Sequence, residues 1–370
     1  MSNFSISHLV IASYISRSPF LTTYISSNEV HSTFFRIEAH NLISKFFFSQ
    51  SILYSLTFSS SSFFKSLTTP LYINSQENEI IFYTTHQNFG NFIRIYSQNN
   101  IFSLFKCSFS NIHEPYEMGG SFLCISSSCS LNVSHCSFIH STTEGSGYVG
   151  TRFMKIGGGA FVFDGRLSNI EYTCFINCSA IADTMTFAIR SQNVLEISKV
   201  HSILLFNNGQ QSLGSNTFSC DTGSFLVEHS NVTNNKILGS YAGGYIGWFA
   251  GNSTFSYVEF SANEGKCISG ISSHSISGGS LYINTHFFSN KATSYGVLMR
   301  LSGYTICQNM VMMNNIGSSF YGIARLVLRN CYFDREEDNN YVFECEYLCN
   351  FDWHNHITFN ITMQNDCPFH

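Results

Sequence analysis

Cys107-Ser108-Phe109-Ser110-Asn111, Cys136-Ser137-Phe138-Ile139-His140 and Cys331-Tyr332-Phe333-Asp334 are versions of one phrase, Cys/apolar–x–Phe–x–Asn. The phrase returns as Phe175-Ile176-Asn177, Phe206-Asn207-Asn208, Val232-Thr233-Asn234, Phe260-Ser261-Ala262-Asn263 and Phe288-Ser289-Asn290, with a fainter echo at Met312-Met313-Asn314. From 109 to 333 its aromatic or apolar positions lie between 21 and 37 residues apart, and Phe34, Phe58 and Phe82 continue a similar spacing upstream. A recurring phrase with variable intervals is the mark of a repeat architecture.

The period alone does not name the repeat, because leucine-rich and helical repeats have similar lengths. Local alternation decides. Within a unit the apolar residues fall on every second position, as in Leu131-Asn132-Val133-Ser134-His135-Cys136-Ser137-Phe138 and Val194-Leu195-Glu196-Ile197-Ser198-Lys199-Val200. Period two is a strand signal, and no stretch sustains a 3.6-residue period with caps. Each unit carries two or three such runs between Gly, Asn and Ser turns.

The sequence therefore predicts an all-β fold: a single-stranded, right-handed parallel β-helix of about a dozen coils. At about 4.8 Å per coil the rod would be on the order of 60 Å long. Each strand would pair with its equivalents in the coils above and below. Residues of the phrase would face inward and stack on their counterparts: Cys107, Phe109, Asn111, Cys136, Phe138, Phe175, Asn177, Phe206, Asn208, Phe260, Asn263, Phe288, Asn290, Cys331 and Phe333. Repeated Phe gives an aromatic stack, and repeated Asn bonds along the axis. The solenoid is expected over 1–340 and an atypical terminal coil or cap over 341–370, beginning after the charged run 334–340, which reads as a protruding loop. Residues 141–157, rich in Ser, Thr and Gly, read as a second long loop.

Gly-Gly starts precede several units, at Gly119-Gly120-Ser121, Gly158-Gly159-Ala160, Gly243-Gly244-Tyr245 and Gly278-Gly279-Ser280. With the Phe/Asn phrase, these residues resemble the polymorphic outer-membrane-protein repeats of chlamydial surface proteins, whose units pair a Gly-Gly-aliphatic phrase with Phe-x-x-Asn. Strict Phe-x-x-Asn occurs here at Phe260 to Asn263 and Phe287 to Asn290. The chain resembles more closely the Ser/Phe/Asn/Cys-rich right-handed β-helix proteins of parabasalid protists. The resemblance spans roughly residues 100 to 340. It implies a surface-associated or extracellular, adhesion-linked role, with host or self glycans or proteins as partners.

Composition narrows the function classes. Of 370 residues only 11% are charged, while 37 Phe and 19 Tyr contribute most of a 16% aromatic content. Such a chain has ample apolar surface for a core. A net charge of −5 with 18 scattered Lys and Arg offers no nucleic-acid footprint. The segment Met1 to Ser16 lacks a basic start and reads as a coil strand rather than a signal peptide, and no apolar run of 18 residues suggests a transmembrane helix. A fragment of a larger, membrane-anchored product is a further expectation. Thirteen cysteines, none in the first hundred residues, fit either a disulfide framework or buried thiols.

The chemistry-bearing residues point away from catalysis, and no cofactor is expected. The seven Asp include no Asp-Asp pair, although Asp164 could meet Asp183 or Asp221 across coils, as an acid pair for glycoside hydrolysis would require. That leaves a carbohydrate-active β-helix enzyme, lyase or hydrolase, as the alternative to a non-enzymatic scaffold. Cys345, Cys349, His354 and His356 carry metal-capable side chains, but the His pair is too close for the common zinc spacing. Cys174 and Cys178 bracket Phe175 and are read as part of the stack. No Gly-x-Ser-x-Gly or Gly-Lys-Ser/Thr phrase is present. Asn-x-Ser/Thr sequons stand at Asn3, Asn132, Asn177, Asn231, Asn252 and Asn360, relevant only if the chain is secreted.

Overall fold

The computed structural model describes residues 2–11, 19–23, 30–40, 47–49, 53–64, 71–73, 76–87, 93–95, 98–114, 119–125, 127–144, 147–148, 155–156, 158–181, 184–209, 216–237, 242–249, 251–265, 268–292, 297–334 and 343–345. Those residues contain strands and turns and no helix. They form a β-solenoid, with nearly every strand paired in parallel to its equivalents in neighbouring coils. The exception among them is the antiparallel pair Gly147–Tyr148 with Lys155–Ile156, inside the loop expected over 141–157. That loop is shorter than expected, since 141–143 belong to the strand Ser137–Thr143. The charged run beyond Asp334, and the cap expected over 341–370 apart from the strand Phe343–Cys345, lie outside the described residues.

Three ladders make three faces. The first runs through Phe122–Ile125, Phe161–Gly165, Phe187–Ser191, Asn216–Thr222 and Ala242–Phe249. The second runs through Ser130–Ser134 and the leading halves of Leu167–Ile176, Ile197–Phe206 and Ser224–Thr233. The third is short and runs through Ser108–Glu114, Ser137–Thr143 and the trailing halves of those same strands.

The third face is bounded by two left-handed corners whose separation never changes. Positive φ recurs in pairs five residues apart: Lys106 and Asn111, His135 and His140, Tyr172 and Asn177, Ser202 and Asn207, His229 and Asn234, Tyr257 and Ala262, Asn284 and Ser289, Asn309 and Asn314. Meanwhile the distance from one first corner to the next varies from 37 residues (135 to 172) to 21 (309 to 330). All length variation is therefore absorbed outside this face. The left-handed region costs an L-residue about 1–2 kcal/mol, least for Asn, so the corners are imposed by the winding rather than by local preference.

Counting from the first corner, positions one, three and six point into the core. Position three holds Phe109, Phe138 and Phe175, fully buried and stacked at 4.9 and 5.1 Å. Its later members are Leu205, Val232, Phe260, Phe287, Met312 and Phe333, all buried. Across the core the first face supplies Phe122, Phe161 and Phe187, stacked at 4.4 and 5.3 Å. The two stacks interlock, Phe138 against Phe161 at 5.6 Å and Phe175 against Phe187 at 4.8 Å. Each buried phenyl contributes about 1.5–3 kcal/mol.

Position six becomes a buried carboxamide ladder. Asn208, Asn235, Asn263, Asn290 and Asn315 follow one another down the axis. Asn263 is representative: its backbone N–H and Nδ2 donate to Asn290 Oδ1 at 3.0 and 3.0 Å, and Nδ2 also donates to the Val232 carbonyl at 2.7 Å. Its own Oδ1 accepts from Asn235 N and Nδ2 at 3.0 and 2.9 Å. The same pattern links Asn208 to Asn235 and Asn290 to Asn315. Such a ladder satisfies polar groups that would each cost about 1–3 kcal/mol if buried alone.

These positions correct the phase read from sequence. Asn111 and Asn177 are not members of this buried ladder but second corners, at φ 52° each, where Asn177 bonds along the axis to His140 and Asn207, and Ile112 and Cys178 hold the inward position after them. Phe206 is 39% exposed and Phe288 half-buried, while their neighbours Leu205 and Phe287 point inward. The apolar residue precedes the ladder Asn by three, not two, because the intervening corner residue consumes one position without alternating. Upstream, Phe82 pairs with Leu104 on the second face, and Phe109 pairs instead with His86, so Phe34, Phe58 and Phe82 form a different column from Phe109. Cys107, Phe109, Cys136, Phe138, Phe175, Asn208, Phe260, Asn263, Asn290, Cys331 and Phe333 are all buried.

Position one explains the cysteines. There Cys107, Cys136 and Cys331 donate Sγ–H to the carbonyl two residues back, at 3.6, 3.3 and 3.4 Å. Thr173, Ser230 and Thr285 make the same bond through a hydroxyl, at 2.8, 2.7 and 3.4 Å. A γ-donor that reaches the carbonyl before the corner is the commonest occupant, thiol and hydroxyl serving alike, while Ile203, Val258 and Met310 fill the same position with apolar groups. Cys107, Cys124, Cys129, Cys136, Cys178, Cys220, Cys307 and Cys331 are free and buried. Burial pushes the Cys178 thiol up to about 12. Cys174 differs from the stacked residue expected: it stands on the outer side and is disulfide-bonded.

Two predictions follow from adjacent residues with opposite signs and from the thiols. Asn263→Ala, which orphans several buried groups, should lower stability by about 3 kcal/mol, whereas Ala262→Asn at the corner should raise it by up to about 1 kcal/mol. Urea unfolding midpoints report both, and a stabilising Asn263→Ala would refute the ladder's role. The eight free thiols should resist an aromatic disulfide reagent in the native state and react on unfolding, because the thiolate is the reactive form.

Candidate functional site

With the core fixed, function falls to the outward side chains of each column. The first corner carries an unusual set. Phe105, His135, Tyr172, His201, His229 and Tyr257 form an unbroken file of rings along the axis. Successive centroids are 5.6, 4.9, 5.6, 5.3 and 4.9 Å apart, close to one coil spacing. Tyr172 is 45% exposed, His229 is exposed, and the other four are half-buried. Interplanar angles of 62°, 74° and 63° between Phe105 and His135, Tyr172 and His201, and His201 and His229 turn one ring of each pair off the stacking axis.

Four of these rings sit at the corner residue itself, where φ is 54° at His135, 48° at Tyr172, 47° at His229 and 55° at Tyr257. Further along the same column the chain places Asn284, Asn309 and Asn330, the side chain that best tolerates this backbone. At Tyr172 and Tyr257 a bulky ring is thus held in a conformation that the chain gives to Asn in those three coils and to Lys106 and Ser202 in two others. Sequence reading missed the file, because Phe, His and Tyr share no identity and lie at varied spacings. Only the corner register aligns them.

A second constellation lies on the outer side of the first face. Register places Ile125, Asp164, Arg190 and Asp221 at equivalent positions of successive strands. Asp164 is nearly fully buried, accepts a bond from Gln192 Nε2 at 2.8 Å, and lies 3.7 Å from the Arg190 guanidinium. Arg190 Nε donates to Thr222 Oγ1 at 3.4 Å. Leu123, Val162 and Ala188 form an apolar cluster beside it, separate from the main core. Burial raises the Asp164 pKa above 3.8, opposed by the Gln192 bond and by Arg190. Asp164 and Asp221 share this column but do not meet, since Arg190 stands between them, while Asp183 lies outside the described residues.

The remaining sequence candidates separate cleanly. No group of three or more His, Cys, Asp or Glu able to hold a metal occurs among the described residues, and Cys349, His354 and His356 lie outside them. Asn132, Asn177 and Asn231 are partly buried, whereas Asn252 is exposed. Gly120 and Gly159 are close-approach glycines: a Cβ there would stand 2.0 Å from the Gly159 carbonyl and 2.2 Å from that of Met185. They are turn glycines of the coil, not a phosphate loop. No helix among the described residues is long and apolar enough to cross a membrane. No protein-family model matches the chain, and neither a curated protein nor a solved structure is significantly similar to it.

Asp164 generates a pH prediction. Its folded pKa is raised, so the fold gains most from it below 3.8 and loses that gain as pH rises through the raised value. Asp164→Asn does not titrate. The stability of the native chain relative to this variant should therefore decline between acidic and neutral pH in paired denaturation curves. A difference that grows with pH would show that Arg190 and Gln192 outweigh burial.

Proposed function

We propose that this chain is a non-enzymatic scaffold, surface-associated or secreted, which displays ligand-binding side chains along a rod and serves in adhesion or ligand display. The reading takes the winding as right-handed, in line with parallel crossovers generally, and the coils as about a dozen. The observation that carries it is the file of rings from Phe105 to Tyr257, held outward and in register over successive coils. Repetition of a weak contact at fixed spacing suits multivalent recognition of an extended partner. The resemblance to parabasalid surface β-helix proteins points the same way.

A carbohydrate-active enzyme is the second reading, and the Asp164–Arg190–Asp221 column favours it. Two coil spacings set the carboxylates about 10 Å apart, near the upper end of the separation used by inverting glycosidases, about 6.5–9.5 Å. Burial also raises Asp164, as a general acid requires. Against it, Asp164 is closed off and engaged by Gln192 and Arg190. A catalytic acid must reach the bond it protonates, so the column reads better as a braced ion pair.

Purified chain should adhere to cells or to an immobilised glycan and protein panel, and should release no new reducing ends or unsaturated products from polysaccharides. Turnover that is lost in Asp221→Asn would replace the scaffold reading with the enzymatic one. Absence of both adhesion and turnover would remove both.

A further inference from the structure

Resting on the scaffold reading, we propose that the ring file at the first corner is a binding site for a neutral glycan chain lying along the rod axis. Three observations carry the inference. The first is strain: Tyr172 and Tyr257 hold bulky rings at positive φ in a column that places Asn at 284, 309 and 330. The left-handed region is worst for bulky residues, whereas His tolerates it better, and strain concentrates where side chains are kept for a task. Ring stacking offsets some of this cost, at about 0.5–1.5 kcal/mol per pair when well packed, but these rings are half-buried or exposed.

The second observation is chemical. Imidazole nitrogens and phenol hydroxyls alternate with ring faces, and the crossed pairs turn faces off the stacking axis. A pyranose presents the matching alternation of C–H faces and hydroxyl edges, and in an extended chain advances by nearly one coil per residue. The third is electrostatic. Glu171 and Glu228 flank His201 in adjacent coils of the same face and the chain carries a net charge of −5, while Lys106 stands over the Phe105 ring at one end of the file, so an anionic polymer is disfavoured along the middle of the file.

A peptide adding as a strand fits less well. That mode needs unpaired main-chain groups, and corner amides are already bonded along the axis, Lys106 N to the Ser134 carbonyl at 3.0 Å and His135 N to that of Glu171 at 3.2 Å. A nucleic acid would use stacking platforms inside a positively charged groove, which this charge balance does not supply.

The test uses the full chain and the triple variant Tyr172→Asn, His229→Asn, Tyr257→Asn, which copies the corner residue of neighbouring coils. Affinity electrophoresis is run with neutral glucan, mannan and galactan and with polygalacturonate, beside thermal unfolding. The expected result is retardation by at least one neutral polymer, weakened at least tenfold in the variant, with an unchanged or higher melting midpoint. A lowered midpoint or an unfolded variant would show that the rings are kept for stability and would overturn the proposal. So would binding to polygalacturonate alone, or neutral binding indifferent to the substitutions. Because failure of the variant to fold counts against the proposal, Tyr172→Asn alone provides a milder check, expected to weaken retardation measurably with the midpoint kept. Cell adhesion separates the two levels. Adhesion that persists without glycan binding, or that protease treatment of the cells abolishes, sinks the glycan inference and leaves the scaffold. Loss of both removes both.

Discussion

Everything in this molecule depends on the constraint that one coil must land on the next in register. The backbone meets it with two left-handed corners a fixed five residues apart. Between them the strand is short enough that its inward side chains have little freedom, so the same three positions recur: most often a γ-donor at the first, an apolar plug at the second and, from Asn208 to Asn315, an axial carboxamide at the third. The carboxamide ladder from Asn208 to Asn315 is the polar expression of that register. A slip of one residue would bury the exposed corner and expose the ladder, leaving several amides unpaired at about 1–3 kcal/mol each. The stacked phenyls supply more of the burial free energy, but they tolerate sliding better than a bond of 3.0 Å does.

The strand class and parallel stacking were legible because alternation survives in every coil. The inward phase was not. Asn207-Asn208 and Asn234-Asn235 are identical dipeptides whose two residues take different roles, an outward corner followed by a buried ladder residue. A pattern that assigns faces by strict alternation must mislabel one of them, and it carried Phe206 and Phe288 inward with the wrong Asn. The residues that resisted this error were those with a γ-donor two places before the plug, such as Cys107 with Phe109 and Cys331 with Phe333. There the donor and the plug agree on the phase.

The candidate sites were harder to read for a related reason. Alignment across coils requires knowing where each corner lies, and coil lengths vary by the insertions between the third face and the next first-face strand. Arg190 falls between Asp164 and Asp221 only after 26 and 31 residues of chain, respectively, return to the same position. The ring file is invisible for the further reason that its members change identity and shift between the corner and the residue before it, as at His201 beside the corner residue Ser202. Neither is a motif; both are products of register.

Fixed register on one face and free length elsewhere also explain how such a chain can be specific while carrying so little charge. The invariant five-residue segment bears the stacking burden, so the corner column can depart from Asn wherever the gain exceeds the backbone strain, without disturbing the core beneath. A substitution at Tyr172 or His229 alters what a partner meets, while Thr173 and Ser230 one residue on still hold the turn through their hydroxyl bonds. The corner is therefore the place where identity can vary at least cost to the fold, and the rings on successive coils from Phe105 to Tyr257 give way to Asn at 284, 309 and 330. Packing alone gives no reason for the change to Asn after Tyr257, since the coils beyond it wind by the same rule. The glycan proposed to lie along the axis would supply one.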